Sequence, residues 1–207
     1  MKFFNRDFQT RLYDTIADIE SESLIEIVVI VKAQSDRYAD RPVWAGLIFS
    51  ALVFTFLMFS HLVFGDFLFY VLTIVSFLVG YTLSMQIKSL FRKLIGKKRM
   101  EKAVEIAARA TFQKGGLRHT ERKVGTLIYC SLFEQKVYIL PDRGAEESLP
   151  IEEWQKFSQK LNAIFVEPNP SESLLNVLAE SKTVFNQFIP PVLNDINELP
   201  NNLEVYL

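Results

Sequence analysis

The sequence predicts an α/β fold: a small mixed sheet sandwiched by helices, with a transmembrane helical hairpin inserted into it. Three observations predict this. Two apolar runs, Val43–Phe64 and Phe67–Ile87, are 22 and 21 residues long, contain no Asp, Glu, Lys or Arg, and have only Gly65–Asp66 between them. About 20 such residues carry a helix across ~30 Å of hydrocarbon. Leu24–Val31, Val124–Leu132 and Lys136–Leu140 are short runs rich in β-branched and aromatic residues, the pattern of buried strands. The intervening segments repeat their apolar residues at helical spacing.

Taken in order, Asp7–Ser23 places Phe8, Leu12, Ile16 and Ile19 on one helical face. Leu24–Val31 is the first strand, and Lys32–Arg41 connects it to Pro42 and the hairpin. Glu101–Gln113 is a helix carrying Val104, Ile106 and Phe112, ended by Gly115–Gly116. Val124–Leu132 and Lys136–Leu140 are separated by Phe133–Gln135, a spacing that fits an antiparallel hairpin. Pro150 opens a helix over Ile151–Phe165 carrying Trp154, Phe157, Leu161 and Ile164, which Pro168 and Pro170 break. Ser171 is expected to cap a last helix, Glu172–Phe188, and Pro190–Pro191 to stop it, leaving an extended tail. The first two strands, joined through helices, are expected to pair in parallel. The expected units are residues 1–42, the hairpin 43–87, the rest of the α/β domain 88–189, and the tail 190–207.

Charge sets the expected orientation. Residues 88–102 hold seven basic side chains against Glu101 alone, net +6, in a chain of net charge −1, so the remainder is net −7. Lys32, Arg37 and Arg41 precede the first span, and only Asp66 stands between the two. Lys and Arg near span ends stay on the cytoplasmic side. Both termini are therefore expected in the cytoplasm, with the chain in the inner (cytoplasmic) membrane. MKFFNRDFQTRLYD is charged and lacks an apolar signal core, which makes the hairpin the first expected export signal. Lys88, Arg92, Lys93, Lys97, Lys98 and Arg99 form a basic collar at the membrane surface, where anionic headgroups are its natural contact. The acidic remainder speaks against nucleic acid as a partner. His61 sits near the outer end of the first run, and Gly46 and Gly80 allow close approach of the two helices. Cys130, the one cysteine, lies in an apolar strand and is expected to be an inert buried thiol.

Gly125–Gly144, GTLIYCSLFEQKVYILPDRG, resembles the signature of the TPM domain family. In that family a strand beginning with Gly leads through an S-x-x-E-x-x-V hairpin into a strand ending in D-x-G. The match falls on Gly125, Leu127, Ile128, Ser131, Glu134, Val137, Asp142, Arg143 and Gly144. Glu20 and Glu26–Ile27 resemble the family's entry into its first strand, although Ile25 stands where Gly is usual. Ser35-Asp36-Arg37-Tyr38 resembles the S-D-x-Y of a membrane-embedded bacterial subgroup with two spans at this position. Gly116-Leu117-Arg118-His119-Thr120 resembles a further segment of that subgroup. The resemblance implies an α/β sandwich around a small mixed sheet. It leaves two activities open, since the family includes a thylakoid-lumen protein credited with acid phosphatase activity and accessory proteins of membrane channels.

Two readings follow. In the first, the chain is a membrane-anchored accessory module that binds another membrane protein. Ser35, Asp36 and Tyr38, at the end of the first strand, are candidate binding residues, with Tyr38 and Trp44 at the membrane interface. In the second, it is a membrane-bound phosphatase. Asp142, Arg143 and His119 would then be catalytic, with Arg118 and Thr120 binding substrate, because phosphoryl transfer needs a carboxylate and cationic donors for developing charge. Against it stands the turn chemistry of Asp-Arg-Gly after a strand. No metal site or cofactor is expected; a divalent cation enters only with the phosphatase reading. Phosphate-binding Gly-rich loops, the nucleophile elbow and the zinc-protease helix motif find no match in the sequence.

Overall fold

A computed structural model of the 207-residue chain describes residues 6–61, 65–114, 124–191 and 204–206. The fold is α/β. The chain divides into two compact units, Met1–Ser35 with Lys102–Leu207, and Asp36–Glu101. The connector from Asp36 onward and most of the basic collar thus belong with the apolar helices.

In the first unit, α1 (Arg6–Glu22) and β1 (Glu26–Lys32) match the expected helix and strand. β2 (Gly125–Ser131) pairs with β1 in parallel, Glu26 opposite Gly125 through Lys32 opposite Ser131. β3 (Lys136–Pro141) pairs antiparallel with β2. The turn between them puts Gln135 at φ 53°, a left-handed conformation that suits tight hairpins. β4 (Glu204–Tyr206), in the expected extended tail, adds a parallel strand on the free edge of β1, giving the order β3-β2-β1-β4.

Because strand residues alternate between faces, the sheet has two cores. Ile27, Val29, Val31, Ile128, Cys130 and Val137 pack with α1, α7 (Ile151–Ala163) and α8 (Pro170–Phe188). Ile30, Leu127 and Tyr129 pack with Val104, Ala108 and Phe112 of α5 (Lys97–Lys114). Arg11 and Glu172 join α1 to α8 through a two-pronged contact of 2.6 and 2.7 Å. Cys130 is fully buried, and burial pushes its thiol up to about 12, so it stays protonated and inert.

Local chemistry shifts some boundaries. α8 begins at Pro170, with Asn169 in the capping position, so Ser171 does not cap it. Proline suits the first helical position because its missing N–H needs no partner. Ser171 instead bonds the Asn169 side chain at 2.9 Å. Asp142-Arg143-Gly144, whose composition suits a turn, opens a short helix, α6 (Arg143–Ser148). The helix expected over Ile151–Phe165 ends at Ala163 and gives way to a tight turn over Ile164–Val166.

The second unit contains α2 (Asp40–Phe59) and α3 (Asp66–Gln86), two apolar helices that pack antiparallel. Ser50 bonds the Thr73 carbonyl at 2.9 Å, and Phe54 meets Phe69 edge to face. His61 lies beyond the end of α2, not inside it. The collar forms α4 (Lys88–Ile95) and the first turns of α5, separated by Gly96 at φ 83°. That backbone conformation strains L side chains and interrupts the helix.

Candidate functional site

Three places gather the residues singled out in the sequence. The first is the end of the sheet where β1 and β2 begin and β3 finishes. Asp142 is anchored there by its backbone N–H, which donates to the Gly125 carbonyl at 2.7 Å. Its Oδ1 accepts from the Arg143 N–H at 2.8 Å and caps α6, while its Oδ2 is buried with no hydrogen-bond partner. Arg143 is exposed and pairs with Glu147 at 2.7 Å. Beside them an open depression of about 470 Å³ is lined by Asp142, Arg143, Arg109, Phe112 and Glu146, among others. Arg109 is held by Glu105 and by the Tyr138 hydroxyl. The depression therefore has mixed charge, with both arginines already engaged by carboxylates. Arg118, His119 and Thr120 lie outside the described residues. Among the described residues, no three Asp, Glu, His or Cys side chains come together at metal-ligand spacing.

Glu20 ends at the start of β1, where its Oε1 accepts from the Ile27 N–H at 3.0 Å and its Oε2 is buried without a partner. Burial raises its pKa to about 7; the Ile27 hydrogen bond opposes this rise and the charge of Glu26 adds to it. Folding thus strengthens proton binding, and stability from this group falls as pH rises from about 4.5 to about 7. Glu20→Gln keeps the acceptor oxygen and removes the charge. It is expected to stabilise the protein at pH 8 by roughly 1–2 kcal/mol, after allowing for partial solvent access, and to do almost nothing at pH 4. Thermal melts of both proteins at the two pH values test this. An identical difference at both would disprove the assignment.

The second place is the opposite end of the sheet, where a hydrogen-bonded relay closes the β1 exit onto the β2–β3 turn. Ser35 N–H donates to Glu134 Oε1 at 3.0 Å, and Ser35 Oγ donates to Ser131 Oγ at 2.8 Å. Ser131 Oγ in turn donates to Glu134 Oε2. Tyr129 Oη lies 3.3 Å from Ser35 Oγ. Since the Ser35 proton is committed to Ser131, the phenol is the donor in that pair. Burial holds the Tyr129 pKa above its ordinary value. Ser131, Glu134 and Tyr129 are all buried. Within the relay each hydroxyl is hydrogen-bonded to another hydroxyl or to Glu134. Ser35, Ser131 and Glu134 stand in the sequence as separate motif letters, whereas Tyr129 carries no signal there beyond being a lone phenol inside an apolar strand.

The third place lies in the second unit. Tyr38, expected at a membrane interface or binding edge, is instead buried, with φ 48°. Its ring meets Phe91 edge to face and lies under the Arg99 guanidinium at 5.5 Å. Arg99 also grips Asp40 with two bonds of 2.6 and 2.7 Å. Arg99 is thus a tie within the unit and not a free collar cation. Asp36 caps its neighbour, accepting from the Arg37 N–H at 2.7 Å. The S-D-x-Y letters therefore part company: Ser35 belongs to the α/β unit, and Asp36 and Tyr38 to the other.

No family model matches the chain, and no curated protein matches it. Among solved structures, the fold is similar to the NMR structure of the BA42 protein from the psychrophilic bacterium Bizionia argentinensis, with a TM-score of 0.61. The match covers 99% of this chain and 97% of that one at 15% identity. At that identity the likeness speaks for the fold alone.

Proposed function

We propose that this chain is a two-pass inner-membrane protein whose TPM-like α/β domain lies on the cytoplasmic face and acts as an interaction module for another membrane protein. The observation that carries the reading is the apolar outer surface of α2 and α3. Leu52, Phe56 and Met58 on α2, and Phe67, Tyr70 and Leu78 on α3, are all more than half exposed. Helices of 20 and 21 residues rise about 30 Å, the thickness of a hydrocarbon core. Water is a poor solvent for such a surface, and lipid is a good one. The engaged arginines around Asp142 and the closed hydroxyl relay suit a binding module better than a catalyst. Val166 and Ile151 are exposed apolar side chains on the α/β unit and mark where a partner would be sought.

The test has two parts. The protein is expected to stay with membranes through an alkaline carbonate wash, and protease is expected to digest the α/β domain only in inside-out vesicles. A photo-crosslinking residue at position 166 is then expected to give a discrete adduct with an integral membrane protein. Release by carbonate, or self-adducts alone, would overturn the proposal.

A second reading, phosphate-ester hydrolysis, is favoured by the unpartnered Oδ2 of Asp142 beside an open depression. Hydrolysis of a generic phosphate ester is measured with and without Mg²⁺, Mn²⁺ and Ca²⁺ for the parent and Asp142→Asn. The module reading expects no difference between the two proteins. Activity lost in the variant would replace it with the enzyme.

A further inference from the structure

We infer that α4 is a headgroup-level sensor of anionic lipid, an inference that rests on the membrane reading above and adds a specific partner to it. α4 is set apart by a break on each side. At Ile87 the backbone leaves the helical region (φ −92°, ψ 87°), and at Gly96 it turns left-handed. Within those breaks, Phe91 and Ile95 are buried, while Ile87, Leu90 and Leu94 are exposed. At 100° per residue, the exposed three form one stripe beside the buried pair. Lys88 and Lys93 fall at the two edges of this combined apolar sector, and Lys97 and Lys98 follow directly after Gly96.

Lys88, Arg92, Lys93, Lys97 and Lys98 make no ion pair among the described residues. The nearby carboxylate that pairs with the collar, Asp40, is taken by Arg99 and Arg41. A helix with an outward apolar stripe, bracketed by unpaired long cations, fits the boundary between acyl chains and headgroups. The apolar stripe is buried there, the lysine stems lie along the hydrocarbon edge, and the ammonium groups reach the phosphates. The excess of positive charge selects an anionic surface over a zwitterionic one. Covalent continuity with α3, a proposed span, holds the helix at that depth.

The experiment uses the full chain carrying Leu94→Cys labelled with an environment-sensitive fluorophore. Cys130 is buried and need not be removed. The protein is reconstituted into vesicles of phosphatidylcholine alone or mixed with phosphatidylglycerol, and quenching by acrylamide is read. A second label at Leu52→Cys, on α2, reports insertion. The label at 94 is expected to be about two- to threefold less quenched in the anionic vesicles. High salt, or the combined change Lys88→Gln, Lys93→Gln, Lys97→Gln and Lys98→Gln, is expected to abolish that difference. Equal strong quenching at 94 in both vesicles, with 52 protected, overturns the sensor and leaves the spans intact. Equal protection at 94 in both overturns the lipid selectivity. Strong quenching at 52 overturns the membrane reading and the inference with it.

Discussion

Gly80→Val is expected to lower the melting temperature of the α2–α3 unit in detergent by about 5–10 °C. A Cβ on Gly80 would stand 2.7 Å from the Phe49 Cβ, and 3.1 Å from both the Ala45 carbonyl oxygen and the Gly46 Cα. None of these atoms can move by a change of rotamer, so the two helices themselves must separate. Overpacking of this kind costs about 1–3 kcal/mol, and it falls where small residues are what let the helices approach. Gly46 makes the reciprocal contact, since its Cβ would meet the Phe77 ring and carbonyl at 2.9 Å. Gly65 is the internal control: a Cβ there meets nothing within 4 Å, and Gly65→Ala is expected to leave the transition unchanged. The transition can be followed by the fluorescence of Trp44 on α2. A Gly80→Val protein as stable as its parent would show that the helices do not pack as described.

Glu134→Ala is expected to destabilise the α/β unit by roughly 2–5 kcal/mol. The change strips the acceptor from the Ser35 N–H and from the buried Ser131 hydroxyl, and each donor left unsatisfied costs about 1–3 kcal/mol. Glu134→Gln should cost less than half as much. Its carbonyl oxygen can still accept from Ser35, and its NH₂ can donate to Ser131 while the hydroxyl relay reverses direction. Urea titrations of the three proteins, followed by circular dichroism, measure the order. If alanine and glutamine cost the same, the relay contributes through the charge of Glu134 and not through its hydrogen bonds.

These predictions differ in how visible their residues were in the sequence. The parallel pairing of β1 with β2 and the β2–β3 hairpin followed from apolar β-branched runs and a short polar interval, because a strand's burial pattern is written in adjacent residues. The apolar helices followed from length and absence of charge. The short helix α6 did not, because its Asp-Arg-Gly start is equally good turn chemistry, and the choice depends on Asp142 being anchored to Gly125 on the neighbouring strand. Tyr38 looks interfacial in the sequence because Trp44 and the first apolar run follow it closely. Its burial against Phe91 and Arg99 joins positions more than fifty residues apart.

What the sequence by itself determined are the properties that one segment carries alone: which runs are apolar enough for lipid, which are strands, where the positive charge sits, and that Cys130 is buried. What only the tertiary structure decided are the partners. Ser35 meets Ser131 and Glu134 nearly a hundred positions away, Arg99 is claimed by Asp40, the collar is cut at Gly96, and Gly46 and Gly80 face one another. The physical reason is that hydropathy and periodicity sum over neighbours in the chain, whereas a hydrogen bond or a close helix contact depends on atoms within about 3–4 Å, which only folding brings together.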